Sequence, residues 1–196
     1  RKMGVNAVEL QPVYQFDSRS KSEYHWGYMP VNFFSPASDY ASNPEIASKE
    51  CKELFSAFHE ANLAVILDVV YNHVGIPNHL LNLDRELYLS TDELGRLTNY
   101  SGCGNDLYCN AEPVKKMIID SLKYWVLNYQ VDGFRFDLAE LLGIELLAEI
   151  EFELRKLNPK IILIAEPWSF RGRLPEKMNQ TGYSLWSDRC RESLLS

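Results

Sequence analysis

Leu63 to Val70 reads L-A-V-I-L-D-V-V. A stretch this apolar has no polar side to give to water. It predicts a strand covered on both faces, and such strands belong to parallel sheets with helices packed above and below. Val5–Val13 and Ile161–Ala165 carry the same signature, the first with Gly4 before it and Pro12 near its end. Helical patterns lie between these runs. Pro44–Ala61 has Pro near its start and a stripe of Ile46, Cys51, Leu54, Phe55 and Phe58. Pro113–Tyr129 places Val114, Met117, Ile118, Leu122, Trp125, Val126 and Tyr129 on one face. A third helix is expected from about Glu140 to Leu157, stopped by Asn158 and Pro159. Alternating strands and helices imply right-handed βαβ units around a parallel sheet.

The stretch V-D-G-F-R-F-D-L-A, Val131 to Ala139, predicts a further strand between the last two helices. Side chains alternate along a strand, so Phe134 and Phe136 point one way and Arg135 and Asp137 the other. A charged pair on an inner face is costly unless something uses it. Arg135 favours the ionised form of Asp137, which suits a nucleophile or charge stabiliser better than a proton donor. On this stretch alone, a structural ion pair is an equal alternative.

Other polar residues gather where strands end: Tyr28 in an aromatic loop, Asn72 and His73 just past Val70, Glu166 just past Ala165. Active sites of parallel α/β folds form at that end. Asp137 and Glu166 follow consecutive strands, so two carboxyl groups are expected to flank one bond. Separations of about 5–5.5 Å fit a retaining glycosidase and about 6.5–9.5 Å an inverting one. Arg135 adjoins Asp137, whereas Ala165, Pro167 and Trp168 give Glu166 a less polar setting that raises its pKa. That assigns Asp137 as nucleophile and Glu166 as general acid, then base.

The remaining segments are read as loops. Tyr14–Asn43 carries Tyr24, His25, Trp26, Tyr28, Phe33, Phe34 and Tyr40, which would stack on a flat ligand or pack the loop down. Val74–Glu112 is a connection of about forty residues, and connections beyond about 12–15 are often functional. Arg171–Ser196 is read as mostly loop, with a strand near Tyr183–Trp186 and a helix after it. One domain, 1–196, is expected.

Composition excludes several classes. The chain has 196 residues, 46% hydrophobic and 24% charged, an ordinary globular balance. The net charge of −7 without a Lys/Arg cluster argues against nucleic acid. No apolar run reaches the roughly 18–20 residues of a membrane span. The four cysteines, Cys51, Cys103, Cys109 and Cys190, match no zinc spacing. Cys103 and Cys109 share a loop and would bridge in an oxidising compartment; the preferred reading is free thiols in a reducing, cytoplasmic setting rather than secretion. A nucleotide-binding fold wants a glycine-rich turn after the first strand, but Val13 is followed by Tyr-Gln-Phe-Asp-Ser.

D-V-V-Y-N-H (Asp68–His73), G-F-R-F-D-L-A (Gly133–Ala139) and A-E-P-W (Ala165–Trp168) resemble, in order and spacing, three of the four signature regions of the α-amylase clan of glycoside hydrolases. Y-H-W-G-Y-M-P-V-N-F-F-S-P (Tyr24–Pro36), S-G-C-G-N-D-L-Y-C-N (Ser101–Asn110) and Y-S-L-W-S-D-R-C-R-E (Tyr183–Glu192) resemble its debranching branch: isoamylases, pullulanases and glycogen-debranching enzymes. The resemblance implies an α/β fold, a partial (β/α)8 TIM barrel of about strands 2 to 6, and hydrolysis of α-1,6 branch linkages through a glycosyl-Asp intermediate. It implies Asp137 as nucleophile, Glu166 as acid/base, Arg135 as the arginine orienting the nucleophile, His73 bonding and Tyr28 stacking on the sugar, and Trp168 contacting the next sugar. His73 as a loop cap and Trp168 as packing remain open.

Asp68 matches a mainly structural acid. Asn72 matches a calcium-associated position in some amylases; no cofactor is expected, and calcium is left unsupported. The implied partner is a branched α-glucan. The region carrying the third acid is expected beyond Ser196, so the piece is expected to be inactive alone. The alternatives are an α-1,4-acting amylase or transferase of the clan, and a non-catalytic glucan-binding homologue. The presence of Asp137, Glu166, Arg135 and His73 argues against the last.

Overall fold

The computed structural model describes residues 3–17 and 26–195. Tyr24 and His25 of the aromatic loop lie outside the described residues. Five parallel strands form the central sheet in the order β1 (Ala7–Leu10), β4 (Ala64–Val69), β5 (Gly133–Phe136), β6 (Ile162–Ala165) and β7 (Ser184–Leu185). The elements between them in sequence are the hairpin strands β2 (Tyr14–Phe16) and β3 (Pro30–Pro36), then α1 (Ala47–Glu60), α2 (His79–Leu83), α3 (Arg85–Tyr88), α4 (Glu112–Tyr129) and α5 (Ile144–Leu157); α6 (Asp188–Leu195) follows β7. This is part of an α/β barrel. Among the described residues, no helix is long and apolar enough to cross a membrane.

β5 sits at the centre, and all four of its residues are buried. The register sets Asp68 beside Arg135 and Arg135 beside Ile164. Neighbours in register point to the same face, as do residues two apart along a strand. Asp68, Arg135, Asp137 and Glu166 therefore share one face at the strands' carboxyl ends. Two backbone bonds carry the ladder past the strands, Asp137 N–H to Val69 O and Glu166 N–H to Phe136 O, both 3.0 Å.

α4 packs as its periodicity predicts, with Val114, Ile118, Leu122, Trp125 and Tyr129 buried and Pro113 in its first turn. The other two helices differ from expectation. Ile46 lies in a 3-10 turn before α1 and is exposed, as is Leu54, so α1 meets the core through buried Phe55 with half-buried Cys51 and Phe58 beside it. α5 begins at Ile144 rather than Glu140, because Leu138 and Gly143 both take positive φ and leave only a 3-10 turn between them. The expected 14–43 loop contains the antiparallel hairpin β2–β3. Its signal is the alternation Tyr14–Gln15–Phe16, buried, half-buried, buried, too short to stand out beside so many scattered aromatics.

A directed hydrogen-bond chain pins that hairpin to the sheet. Tyr14 Oη donates to Tyr71 Oη at 2.8 Å, Tyr71 Oη reaches Ser121 Oγ at 2.8 Å, and Ser121 Oγ donates to Phe33 O at 2.7 Å. Trp125 Nε1–H donates to the same carbonyl at 2.9 Å. The long 74–112 connection folds over the strand ends around buried Asp106, which accepts from Thr98 Oγ1, Tyr100 N–H and Ser101 N–H and Oγ–H. All four cysteines are free thiols.

Gly133 is required where β5 meets β6. A Cβ there would lie 2.6 Å from both Cβ and O of Ile162. Gly133→Ala is expected to destabilise by about 1–3 kcal/mol, the usual cost of overpacking. A lowered urea midpoint with unchanged slope is the expected result; an unchanged midpoint refutes the crowding.

Candidate active site

Arg135 is the hub of the strand-end cluster and is only 2% exposed. Its Nη1 lies 2.8 Å from Asp68 Oδ1 and 2.8 Å from Asp137 Oδ1, and its Nη2 lies 3.1 Å from Glu166 Oε2. The sequence pairs Arg135 with Asp137 alone; the sheet register adds one carboxylate from each neighbouring strand. Three carboxylates around one cation leave negative charge in excess in a dry place.

Burial pushes the Asp68 carboxyl up to about 6, against the opposing influence of Arg135 and of Tyr28, whose hydroxyl donates to Asp68 Oδ2 at 2.5 Å. Burial also raises the Glu166 carboxyl above its ordinary value, opposed by the Leu138 N–H bond and by Arg135, and reinforced by nearby Asp137. The direction matches the expectation for Glu166. Burial disfavours the Arg135 charge, yet Asp68, Asp137 and Glu166 together hold it firmly protonated.

Asp137 is fixed at both oxygens. Oδ1 accepts from Arg135, and Oδ2 accepts from Asn72 Nδ2 at 3.0 Å, which also donates to the Asp137 carbonyl at 2.9 Å. Glu166 Oε2, the oxygen that meets Arg135, also accepts from Leu138 N–H at 2.8 Å. Leu138 is left-handed at φ 40° and ψ 48°, a conformation costly for a residue with a Cβ. The turn that costs this strain aims a backbone donor at the general-acid candidate.

His73 is 1% exposed, and burial lowers its pKa. Its Nδ1 faces Asn72 Oδ1 at 2.5 Å and its Nε2 faces the Tyr28 carbonyl at 2.8 Å. Both ring nitrogens thus meet protein acceptors, and a sugar hydroxyl would have to displace Tyr28 O. Asn72 bridges His73 and Asp137. Among the described residues, no group of three His, Cys, Asp or Glu is placed to hold a metal.

Trp168 is half-buried beneath Arg173, whose guanidinium carbon is 5.1 Å from the ring centroid. It opens a short hairpin, bridged to Arg173, directly after Glu166–Pro167. Trp186 lies 6.3 Å from Trp168 and stacks on Arg135. A cleft of about 580 Å³ lined by Pro167, Leu174, Trp186 and Asp188 runs beside the carboxylates rather than over them. Trp186 and Asp106 were invisible as site-builders in the sequence. Asp106 ends the turn S-G-C-G-N-D and Trp186 lies in the stretch Y-S-L-W-S-D, but neither stretch tells what its side chain touches.

The rim of this parallel partial barrel thus carries two oriented carboxyl groups, Asp137 and Glu166, on one buried arginine. The chain is 38% identical to isoamylase 3 of Oryza sativa over 229 aligned residues, covering 98% of this chain and 29% of that protein. It superposes on a pullulanase from Bacillus acidopullulyticus with TM-score 0.91 at 36% identity, covering 98% of this chain and 26% of that one. A pullulanase from Paenibacillus barengoltzii, solved with maltohexaose and α-cyclodextrin, matches with TM-score 0.87 at 32% identity, covering 97% of this chain and 32% of that one. No protein-family profile matches the chain. The chain is a homologue of the isoamylases, pullulanases and related debranching enzymes, and it spans about a third or less of their length.

Asp68 binds its proton more tightly folded than unfolded. Its contribution to stability is therefore full below the ordinary value of 3.8 and is lost as pH rises through about 6. Asp68→Asn is expected to flatten the fall in stability between about pH 4 and about pH 6, by an amount on the order of 3 kcal/mol. Denaturant unfolding across that range checks it, and an unaltered pH slope would exclude the shift.

Proposed function

We propose that the protein is a retaining glycoside hydrolase that cleaves α-1,6 branch linkages in α-glucans such as glycogen, starch or pullulan. The observation that carries this reading is the attachment of Asp137 and Glu166 to adjacent nitrogens of one guanidinium, at 2.8 and 3.1 Å. Carboxyl groups held so close favour the shorter, retaining separation, which leaves no room for a water between nucleophile and sugar. The isoamylase and pullulanase homologues support the debranching linkage.

In this reading Glu166 protonates the glycosidic oxygen while an Asp137 oxygen attacks the anomeric carbon. The bond to the leaving glucan breaks and a glycosyl ester on Asp137 forms. Ionised Glu166 then takes a proton from water, whose oxygen displaces Asp137 and gives a product with the original anomeric configuration. Burial raises the Glu166 carboxyl above its ordinary value, the direction a general acid needs. Tyr28 and Trp168 border the same rim and are assigned to the sugars on either side of the scissile bond.

Asp137→Asn in the full-length protein is expected to lower kcat by about 10³-fold or more while glucan binding persists, comparable with the loss of other covalent nucleophiles. Glu166→Gln is expected to lose turnover of branched glucan but to retain far more on substrates with acidic leaving groups. Survival of turnover in Asp137→Asn sinks the mechanism. Rapid cleavage of amylose with pullulan left intact would point to an α-1,4-acting or transferring member of the clan instead.

A further inference from the structure

Trp186 has no part in the chemistry above. It follows β7, and its indole lies against Arg135 with the guanidinium carbon 4.2 Å from the ring centroid. Simple burial does not account for it, since Trp186 is 43% exposed. The geometry at Arg135 gives it a purpose. The outer nitrogens Nη1 and Nη2 hold three carboxylates, while buried Nε meets no hydrogen-bond partner. A guanidinium anchored at only one end of its plane is free to tilt. The indole covers the face across which it would tilt.

Trp186 is itself supported. Its backbone N–H donates to Ala165 O at 3.3 Å, extending the β6–β7 ladder. Its ring meets Trp168, which lies beneath Arg173, and Arg173 is ion-paired with Asp188 two residues beyond Trp186.

We infer that Trp186 is a positioning residue for Arg135: its π-face holds the guanidinium plane so that Nη1 and Nη2 serve Asp137 and Glu166 together. Cation–π attraction gains strength when the cation is desolvated, and Arg135 is nearly sealed from water. The Nη2–Glu166 contact, the longest of the three at 3.1 Å, is the first to open when the plane tilts. This inference rests on the assignment of Asp137 and Glu166 made above.

The test uses the full-length protein and branched glucan. Trp186→Leu keeps an apolar side chain and removes the π-face, whereas Trp186→Phe keeps a π-face. The Leu variant is expected to lower kcat roughly tenfold with KM nearly unchanged, and the Phe variant to restore most of it. Equal losses in both variants, or a loss confined to KM, would make Trp186 a wall of the substrate site and overturn the inference. If Trp186→Leu does not fold, progressively fluorinated tryptophans placed at position 186 keep the shape and drain the face of negative charge. kcat is then expected to fall with each added fluorine, and a flat series overturns the inference. The two levels fail separately. A flat series in an enzyme that Asp137→Asn inactivates rejects the role of Trp186 alone, whereas turnover by Asp137→Asn rejects the parent reading.

Discussion

The Arg135 guanidinium is the charge around which this rim is built. Three carboxylates from three adjacent strands reach it, all of them mostly buried. Each ion has lost most of its hydration, a cost of several kcal/mol that only close and well-satisfied geometry offsets. Removing Arg135 would leave three carboxyl groups facing one another in low dielectric with no cation to hold their charge. Through these contacts Arg135 joins the carboxyl ends of β4, β5 and β6. The arrangement is poor as a device for stability, since a hydrophobic core would hold the strands at lower cost. What it achieves is placement of two carboxyl groups in fixed orientation.

Much of this was legible in the chain. The apolar run Leu63–Val70 and the alternation through Phe134–Arg135–Phe136–Asp137 specify buried parallel strands and a charged inner face, because strand periodicity is local. The raised pKa of Glu166 was legible from its apolar neighbours. The contacts of Arg135 with Asp68 and Glu166 were not, because they depend on the register between strands, set by packing across the sheet. Trp186 was hidden for the same reason: its partner lies far back in sequence and belongs to another strand. The β2–β3 hairpin leaves little trace in the sequence because the three residues of β2 are too few to display a period. α5 starts later than helix propensity through Glu140–Leu142 suggests, because Leu138 turns left-handed to aim its N–H at Glu166 and Gly143 also takes positive φ.

The loops above the strands show how an irregular segment is made rigid without regular structure. Arg171, near the tip of the hairpin after Glu166, pairs with Glu140 at 3.0 Å, and its guanidinium lies 5.5 Å from the Tyr100 ring. Glu140 follows β5 and Tyr100 belongs to the long connection after β4, so one side chain ties together the loops of three successive strands. Asp106 does the equivalent inside that connection, spending its carboxylate on two backbone N–H groups and two hydroxyls. The Asp106 carboxylate thus satisfies backbone donors that a strand or helix would otherwise have paired, and Arg171 donates to the Glu140 carboxylate and carbonyl.

The shared guanidinium also bears on the proposed chemistry. Before the first step Asp137 is an anion and Glu166 carries a proton. After it, Asp137 is a neutral ester and Glu166 is the anion. The buried pocket thus holds the same total charge on both sides of the step, and the negative charge passes from the partner of Nη1 to the partner of Nη2 on a single cation. A reaction that changed the net charge of so enclosed a site would have to repay a desolvation cost at the transition state. Here one fixed positive group serves the reactant and the intermediate in turn, with no counterion to move and little solvent to reorganise, which is how a preorganised electrostatic environment lowers a barrier.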